Sequence, residues 1–532
     1  MRFFQRMCFV VLASGLALGQ TANNAPASQG SVADELKALR EAISLQQKQI
    51  AQQQEQIQTL EQRLQDTTSG TPHVAEATLH TASPATNVVQ ETEKPKESPL
   101  SFRIGGTEFT PGGFVDFENI FRSTNTGNVT ATTYGAIPFS NTIAGHLTEF
   151  RSTGQYSRYN LKIAGKYGAN NVVGYIEGDF NGNDAGNVFV TSNPHTNRLR
   201  LYWLDLKRGD WEFLAGQSWG LETPNRKGLS PNPADLMLTI GEDANVHVGI
   251  PYTRAGLFRA VLHPNDNFAW GLEIQNPQQF TNGEVLFPFA FNAQLAAQFD
   301  NGAVPGTPNA FPDIITKMSW DTGKERGIHF ELGALMTSAK IAILPVGGTA
   351  FDKHSKIGGG ILGGVNLALA RNFRVIAHGM WGSGIGRYMI GSGPNAVVFP
   401  VATGPGAFNA DISMVHSGSA IAGVETTAGK SQFGFYYGGF YFQDNFFLDP
   451  TNPVPGRTAG FGGPNSPNNA NRSIQQGTID WTQTFWKNPQ YGAVLLVTQA
   501  SYVTRSPWFV ALGAPKNAHL GMGYLSIRYV LP

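Results

Sequence analysis

Two spacings of apolar residues divide this chain. Over residues 31–66 the period is seven. Leu36, Ile43, Ile50, Ile57 and Leu64 stand seven apart, and Val32, Leu39, Gln46, Gln53 and Leu60 form the companion row. The seam alternates in steps of three and four across more than four heptads, which predicts a coiled coil rather than a lone amphipathic helix. The alternative is a solvated, partly helical Gln-rich tail. Residues 67–107 have no period. Thr, Ser, Pro, Ala and Glu dominate there, with Pro95, Pro99 and the charged run Glu91–Glu97, so the stretch reads as a flexible linker.

From Gly112 onward the period is two. Val115, Phe117 and Phe121 alternate with Asp116 and Glu118. Tyr159, Leu161 and Ile163 alternate with Arg158, Asn160 and Lys162. One apolar and one charged face suits a half-buried sheet or a barrel wall. The links between strand-like runs decide between them. Tight turns at Gly168-Ala169-Asn170, Gly209-Asp210, Pro264-Asn265-Asp266, Thr322–Arg326, Ala370-Arg371-Asn372, Ala428-Gly429-Lys430 and Lys487-Asn488-Pro489 alternate with long links near 123–145, 182–196, 220–246, 277–311, 341–357, 383–418, 443–472 and 505–517. Short turns at one rim and long loops at the other is the layout of a bacterial transmembrane barrel. Residues 108–532 are therefore expected to form an all-β barrel of about 16 antiparallel strands, with both barrel ends and the coiled coil on the short-turn, periplasmic side. The chain closes on Leu525, Ile527 and Tyr529, alternating as a last strand should.

Composition narrows the picture. The 38 basic residues balance 38 acidic ones, which argues against a nucleic-acid partner. Past the N-terminus no run of ~18 apolar residues occurs, so no transmembrane helix is expected. Residues 1–19 read as a secretory signal peptide: Arg2 and Arg6, an apolar run Met7–Leu18, and Ala17-Leu18-Gly19 as a cleavage site, followed by a short segment 20–30. The single cysteine, Cys8, lies inside that run, so disulfides and thiolate metal sites are not expected after export. Removal of residues 1–19 leaves 36 basic and 38 acidic residues, a formal net charge of −2.

The order of signal peptide, Gln-rich coiled coil, linker and sixteen-strand barrel resembles the DcaP-like outer-membrane porins. The strings Ser157-Arg158-Tyr159, Tyr175-Ile176-Glu177-Gly178-Asp179-Phe180, Arg198-Leu199-Arg200 and Ala215-Gly216-Gln217-Ser218-Trp219 carry that resemblance. More distantly the chain resembles phosphate-selective porins. The resemblance implies a homotrimer in outer-membrane lipid passing small anionic solutes, dicarboxylates among them. A heptad pattern alone does not separate two strands from three, although Gln46 and Gln53 are polar seam residues of the kind that fix oligomer state.

Six residues are expected to line the interior. Arg158 and Lys162 on the second strand share inward parity with Arg198 and Arg200 on the fourth, and Glu177 and Asp179 stand on the strand between. A charge on the lipid face costs ~2–4 kcal/mol at the midplane, which favours the inward assignment. A basic ladder attracts anions, whereas cross-strand pairing with Glu177 and Asp179 would merely solvate the wall. The long link Leu221–Val246, with Arg226, Lys227, Asp235, Glu242 and Asp243, follows the fifth strand, as the constriction loop of general porins does. Its alternative is an ordinary extracellular loop.

Nothing points to catalysis or a cofactor. H-E-x-x-H, P-loop and cysteine-pair motifs are absent, and His247, His263, His329 and His378 lack ligand spacing. Asn181-Gly182-Asn183-Asp184 is explained by turn chemistry before Ca²⁺ binding. Three readings follow: a passive diffusion channel, a barrel-borne lipid hydrolase, and a structural anchor whose coiled coil holds a periplasmic or cell-wall partner.

Overall fold

The computed structural model describes residues 98–127, 130–182, 195–243, 245–282, 284–302, 307–323 and 327–532. The expected signal peptide, the segment 20–30, the coiled coil and the linker up to residue 97 lie outside the described residues. Among the described residues sixteen antiparallel strands close into a barrel. They are β1 (Thr107–Arg122), β2 (Glu149–Thr153 and Arg158–Tyr167, two pieces that both pair with β1), β3 (Asn170–Asp179), β4 (Arg198–Arg208), β5 (Trp211–Trp219), β6 (Arg254–Asn265), β7 (Phe268–Gln275) and β8 (Asp313–Thr322). The circuit continues with β9 (Ile328–Ile343), β10 (Asp352–Ala370), β11 (Phe373–Ser383), β12 (His416–Ala428), β13 (Ser431–Phe442), β14 (Asn471–Asn488), β15 (Gly492–Pro507) and β16 (Ala518–Val530). Each strand pairs with the next, and β16 closes on β1 from Phe114↔Val530 to Arg122↔Met522. Closure pairs both edges of every strand and leaves no sheet edge open. Among the described residues no helix is long and apolar enough to cross a membrane.

Short turns and long loops alternate around the barrel as the spacing predicts, with two differences. The fifth loop spans only 344–351, because β9 and β10 continue as a tall hairpin of 16 and 19 residues. The sixth strand starts at Arg254 rather than near 247, so the third loop runs over 220–253. In the segment read as linker, Phe102–Ile104 folds back on Thr107–Phe109. Ser98 Oγ donates to the Pro532 carbonyl at 3.1 Å, tying the start of the described chain to its last residue at the short-turn rim.

Period two is expressed in burial. On β1, Val115, Phe117 and Phe121 are exposed outward while Asp116, Glu118 and Arg122 are buried inward. On β16, Leu525, Ile527 and Tyr529 face out and Tyr524 and Ser526 face in. Of the aromatics on β13 and β14, Tyr437, Tyr441, Trp481 and Trp486 are exposed and Tyr436 and Phe440 are buried. The interior is not empty. Tyr134, Ile137 and Phe139 of the first loop, Leu221, Leu229 and Val248 of the third, and Ile385, Tyr388 and Met389 of the sixth pack with Ile120, Val261 and Ile315 of the wall.

Candidate functional site

Cross-strand pairing on β2, β3 and β4 builds a charged flank on the inner wall. Register places Arg158 opposite Asp179 and Asn160 opposite Glu177. Arg200 Nε donates to Glu177 at 2.8 Å and its Nη1 to Asp179 at 3.0 Å. Arg198 grips Asp179 through Nε at 2.9 Å and Nη2 at 2.6 Å, a bidentate pair. Arg158 stands 3.8 Å from Glu177 and lies over the rings of Phe114 and Tyr156. Lys162 shares the face of Arg158 and is exposed. The inward assignment of Arg158, Arg198, Arg200, Glu177 and Asp179 therefore coincides with direct pairing between them.

One residue of this region departs from its expected parity. Strict alternation with inward Arg198 and Arg200 would turn Leu201 outward with Leu199, yet Leu201 is fully buried. The register shifts between Glu177 and Gly178, leaving Arg200 as the extra residue of a bulge, so Leu201 turns inward. Beyond Gly216 the ladder between β4 and β5 ends, with Tyr202↔Gln217 its last pair. Gly216 has φ +138°, and a side chain there would collide with the Tyr202 carbonyl, so this parting of the strands requires glycine.

The third loop folds into the barrel and touches the wall nearly all the way round. Leu221 N donates to Glu273 of β7 at 3.1 Å. Lys317 of β8, fully buried, donates to the Thr223 carbonyl and to Asn225 Oδ1, both at 2.8 Å, and lies 3.1 Å from Glu331 of β9. Arg226 donates to both carboxylate oxygens of Glu425 on β12, at 2.6 and 2.7 Å. Ile240 N donates to Tyr436 Oη of β13, and Val248 N to Gln476 of β14. Gln499 of β15 accepts from the backbone of Glu242 and Asp243 at 2.6 and 3.1 Å. On β16, Arg528 pairs with Glu242 at 2.5 Å and Tyr524 Oη donates to Asp243 at 2.7 Å. Of the remaining loop residues predicted to matter, Lys227 is exposed and Asp235 half-buried, its carbonyl accepting from Arg226 N.

The far end of this loop makes a second, acidic flank. Glu118 and Asp480 are buried with both carboxylate oxygens unpartnered, and one oxygen of Glu242 is likewise unpartnered. Asp116 pairs with Arg528 at 2.9 Å and also accepts from Ser526. One guanidinium thus serves several carboxylates. Burial pushes the Glu242 carboxyl up to about 8 against the pull of Arg528, with Asp116 adding to the rise. At the loop's start, burial and the neighbouring Glu273 push Glu222 up to about 7. Burial holds His247 down at about 4, so it is neutral at ordinary pH.

His329 and His378, unremarkable in sequence, converge on Glu331 at 3.4 Å each, and His329 also meets Asp321 at 3.0 Å. No group of metal-holding geometry occurs among the described residues. The wall partners Lys317, Glu331, Glu425, Gln499 and Arg528 were not singled out by sequence reasoning. Their inward parity is legible in the strands, but their loop partners are not.

No protein-family model matches the chain, and no curated protein matches it by sequence. Solved structures do. The crystal structure of the outer membrane channel DcaP of Acinetobacter baumannii aligns with a TM-score of 0.57 at 15% identity, covering 81% of this chain and 100% of that one. The chain is similar in fold to DcaP. The resemblance drawn from the strings of residues 150–220 thus meets its counterpart in three dimensions. Looser matches include OmpT of Vibrio cholerae, with TM-score 0.42, 10% identity and 81% and 99% coverage, and Salmonella typhi OmpF, with TM-score 0.39, 10% identity and 81% and 100% coverage. At 15% identity the likeness to DcaP is one of fold, and the charged flanks of this chain stand on its own residues.

Proposed function

We propose that this protein is an outer-membrane porin of a Gram-negative cell through which small hydrophilic solutes diffuse passively, anions such as dicarboxylates being favoured. The observation that carries the reading is the third loop, bonded across the interior of an outwardly apolar barrel, with inward arginines on β2 to β6 adjoining an acidic cluster on β1, β14 and the loop's far end. Charged groups lining such a path attract and select ions where low-dielectric walls focus their field. Arg158, Lys162, Arg198 and Arg200 supply the cationic side, and the loop residues Arg226, Lys227, Asp235, Glu242 and Asp243 shape the narrowing. Residues 31–66 form a periplasmic coiled coil in this reading, and the assembly is a homotrimer.

Reversal potential across a planar bilayer under a potassium chloride gradient tests the proposal. The parent is expected to prefer anions, and Arg158→Gln with Arg200→Gln to lower that preference at low salt, with the difference shrinking as salt rises because screening acts beyond ~10 Å at 0.1 M. Absence of conductance would favour the anchor reading. Cation preference in the parent would overturn the anionic one.

A further inference from the structure

The four arginines and two carboxylates at the loop-side end of β2 to β6 do not balance. Arg158, Arg198 and Arg200 share Glu177 and Asp179. The fourth, Arg254, opens β6 directly after the third loop and pairs with Trp219 in the β5–β6 register. Its guanidinium lies 5.3 Å from the Trp219 ring centroid, and Trp219 in turn packs against Tyr252 at 5.5 Å. Arg254 makes no ion pair with any described carboxylate, its Nε is buried without a hydrogen-bond partner, and it is within electrostatic reach of Arg158, Arg198 and Arg200.

We propose that Arg254, standing unpaired on Trp219 beside the paired arginines, is the principal specificity-determining cation for anionic solutes. The inference rests on the porin reading and deepens it. Arg198 and Arg200 spend their donors on Asp179 and Glu177, so an arriving carboxylate or phosphate competes with a carboxylate already bound. Among the described residues the Arg254 guanidinium rests on an indole face and makes no ion pair, which leaves its planar donors for an oxyanion. The surrounding positive charge is what makes the site costly when empty and favourable to a passing anion.

The test uses the full chain in planar bilayers at low potassium chloride concentration. Arg254→Met keeps the aliphatic stem over the indole and removes the charge. Its anion-to-cation permeability ratio is expected to fall about two- to threefold, the effect of one poorly screened unit charge a few ångströms from the path. Arg254→Lys keeps the charge and is expected to stay near the parent. An anion-preferring parent with an unchanged Met variant overturns the role of Arg254 while leaving the porin reading intact, whereas a parent that does not conduct, or prefers cations, overturns the reading beneath it. An equal fall in Met and Lys variants shows that shape rather than charge matters, and also overturns the inference.

Discussion

The two charged flanks of the interior are built by opposite means. The basic flank is made by neighbouring strands joined through a two-residue turn and a single loop, so its ion pairs are cross-strand contacts fixed by register. The acidic flank is made by a loop that travels from β5 across to β15 and β16 before meeting its partners. Consequently the first is only partly neutralised where it stands, with four arginines to two carboxylates and Arg254 left without an ion pair. The second crowds Asp116, Glu118 and Glu242 around Arg528, with Asp480 beside Glu242, more carboxylate than one cation can serve. Strand register sets charge locally, while a loop can import it.

The comparison breaks most readily at the loop's anchor. Arg226→Met leaves Glu425 buried without its ion-pair partner, and loss of one partner of such a pair costs ~3–5 kcal/mol. The expected outcome is a loop released from the wall, read as higher single-channel conductance and faster proteolysis within residues 220–253. Unchanged conductance would show that this loop does not narrow the path.

A smaller effect should come from pH. Burial raises Glu242 above its ordinary value to about 8, so the docked loop favours the protonated acid. A carboxyl with a raised folded pKa adds stability that is complete below the ordinary carboxylate range and disappears as pH climbs through about 8. Between pH 6 and 9 the acidic flank should gain charge, anion preference should decline, and loop docking should weaken. Glu242→Gln should flatten both trends in reversal potential and protease protection; persistence of the full pH step in that variant would assign it elsewhere.

The smallest effect sharpens the basic side. Asp179→Asn frees Arg198 and Arg200 from their shared carboxylate and should raise the anion-to-cation ratio by about a factor of two, as expected of one unit charge on the inner wall. A fall instead would mean that Asp179 chiefly holds the arginines in place.

Much of this was legible in the chain. Alternation in Val115–Phe121 and Arg158–Ile163 foretold which side chains face inward, because period two is a property of the backbone itself. Arg198, Arg200, Glu177 and Asp179 could be grouped because short links make their strands neighbours. Alternation fails at Leu201 because a bulge adds a residue that no local pattern marks. Arg254 was passed over because the run from 247 read as continuous strand, hiding the end of the loop. The partners Glu425 and Lys317 depend on the path of the third loop through space, and no periodicity encodes that path. The coiled coil of residues 31–66 lies outside the described residues.

The seam between β1 and β16 governs how this molecule is made. It joins residues such as Asp116 and Arg528, 412 positions apart. Loop-closure entropy must be overcome before so distant a pairing returns any energy, and contacts of such high sequence separation slow folding. Until β16 arrives, β1 and the growing sheet each present an open edge, the feature that invites pairing with the wrong chain. The seam is therefore the expected kinetic bottleneck of biogenesis. A chain shortened by its last strand should accumulate as an unsealed, aggregation-prone sheet even though almost every other contact in the barrel is available to it.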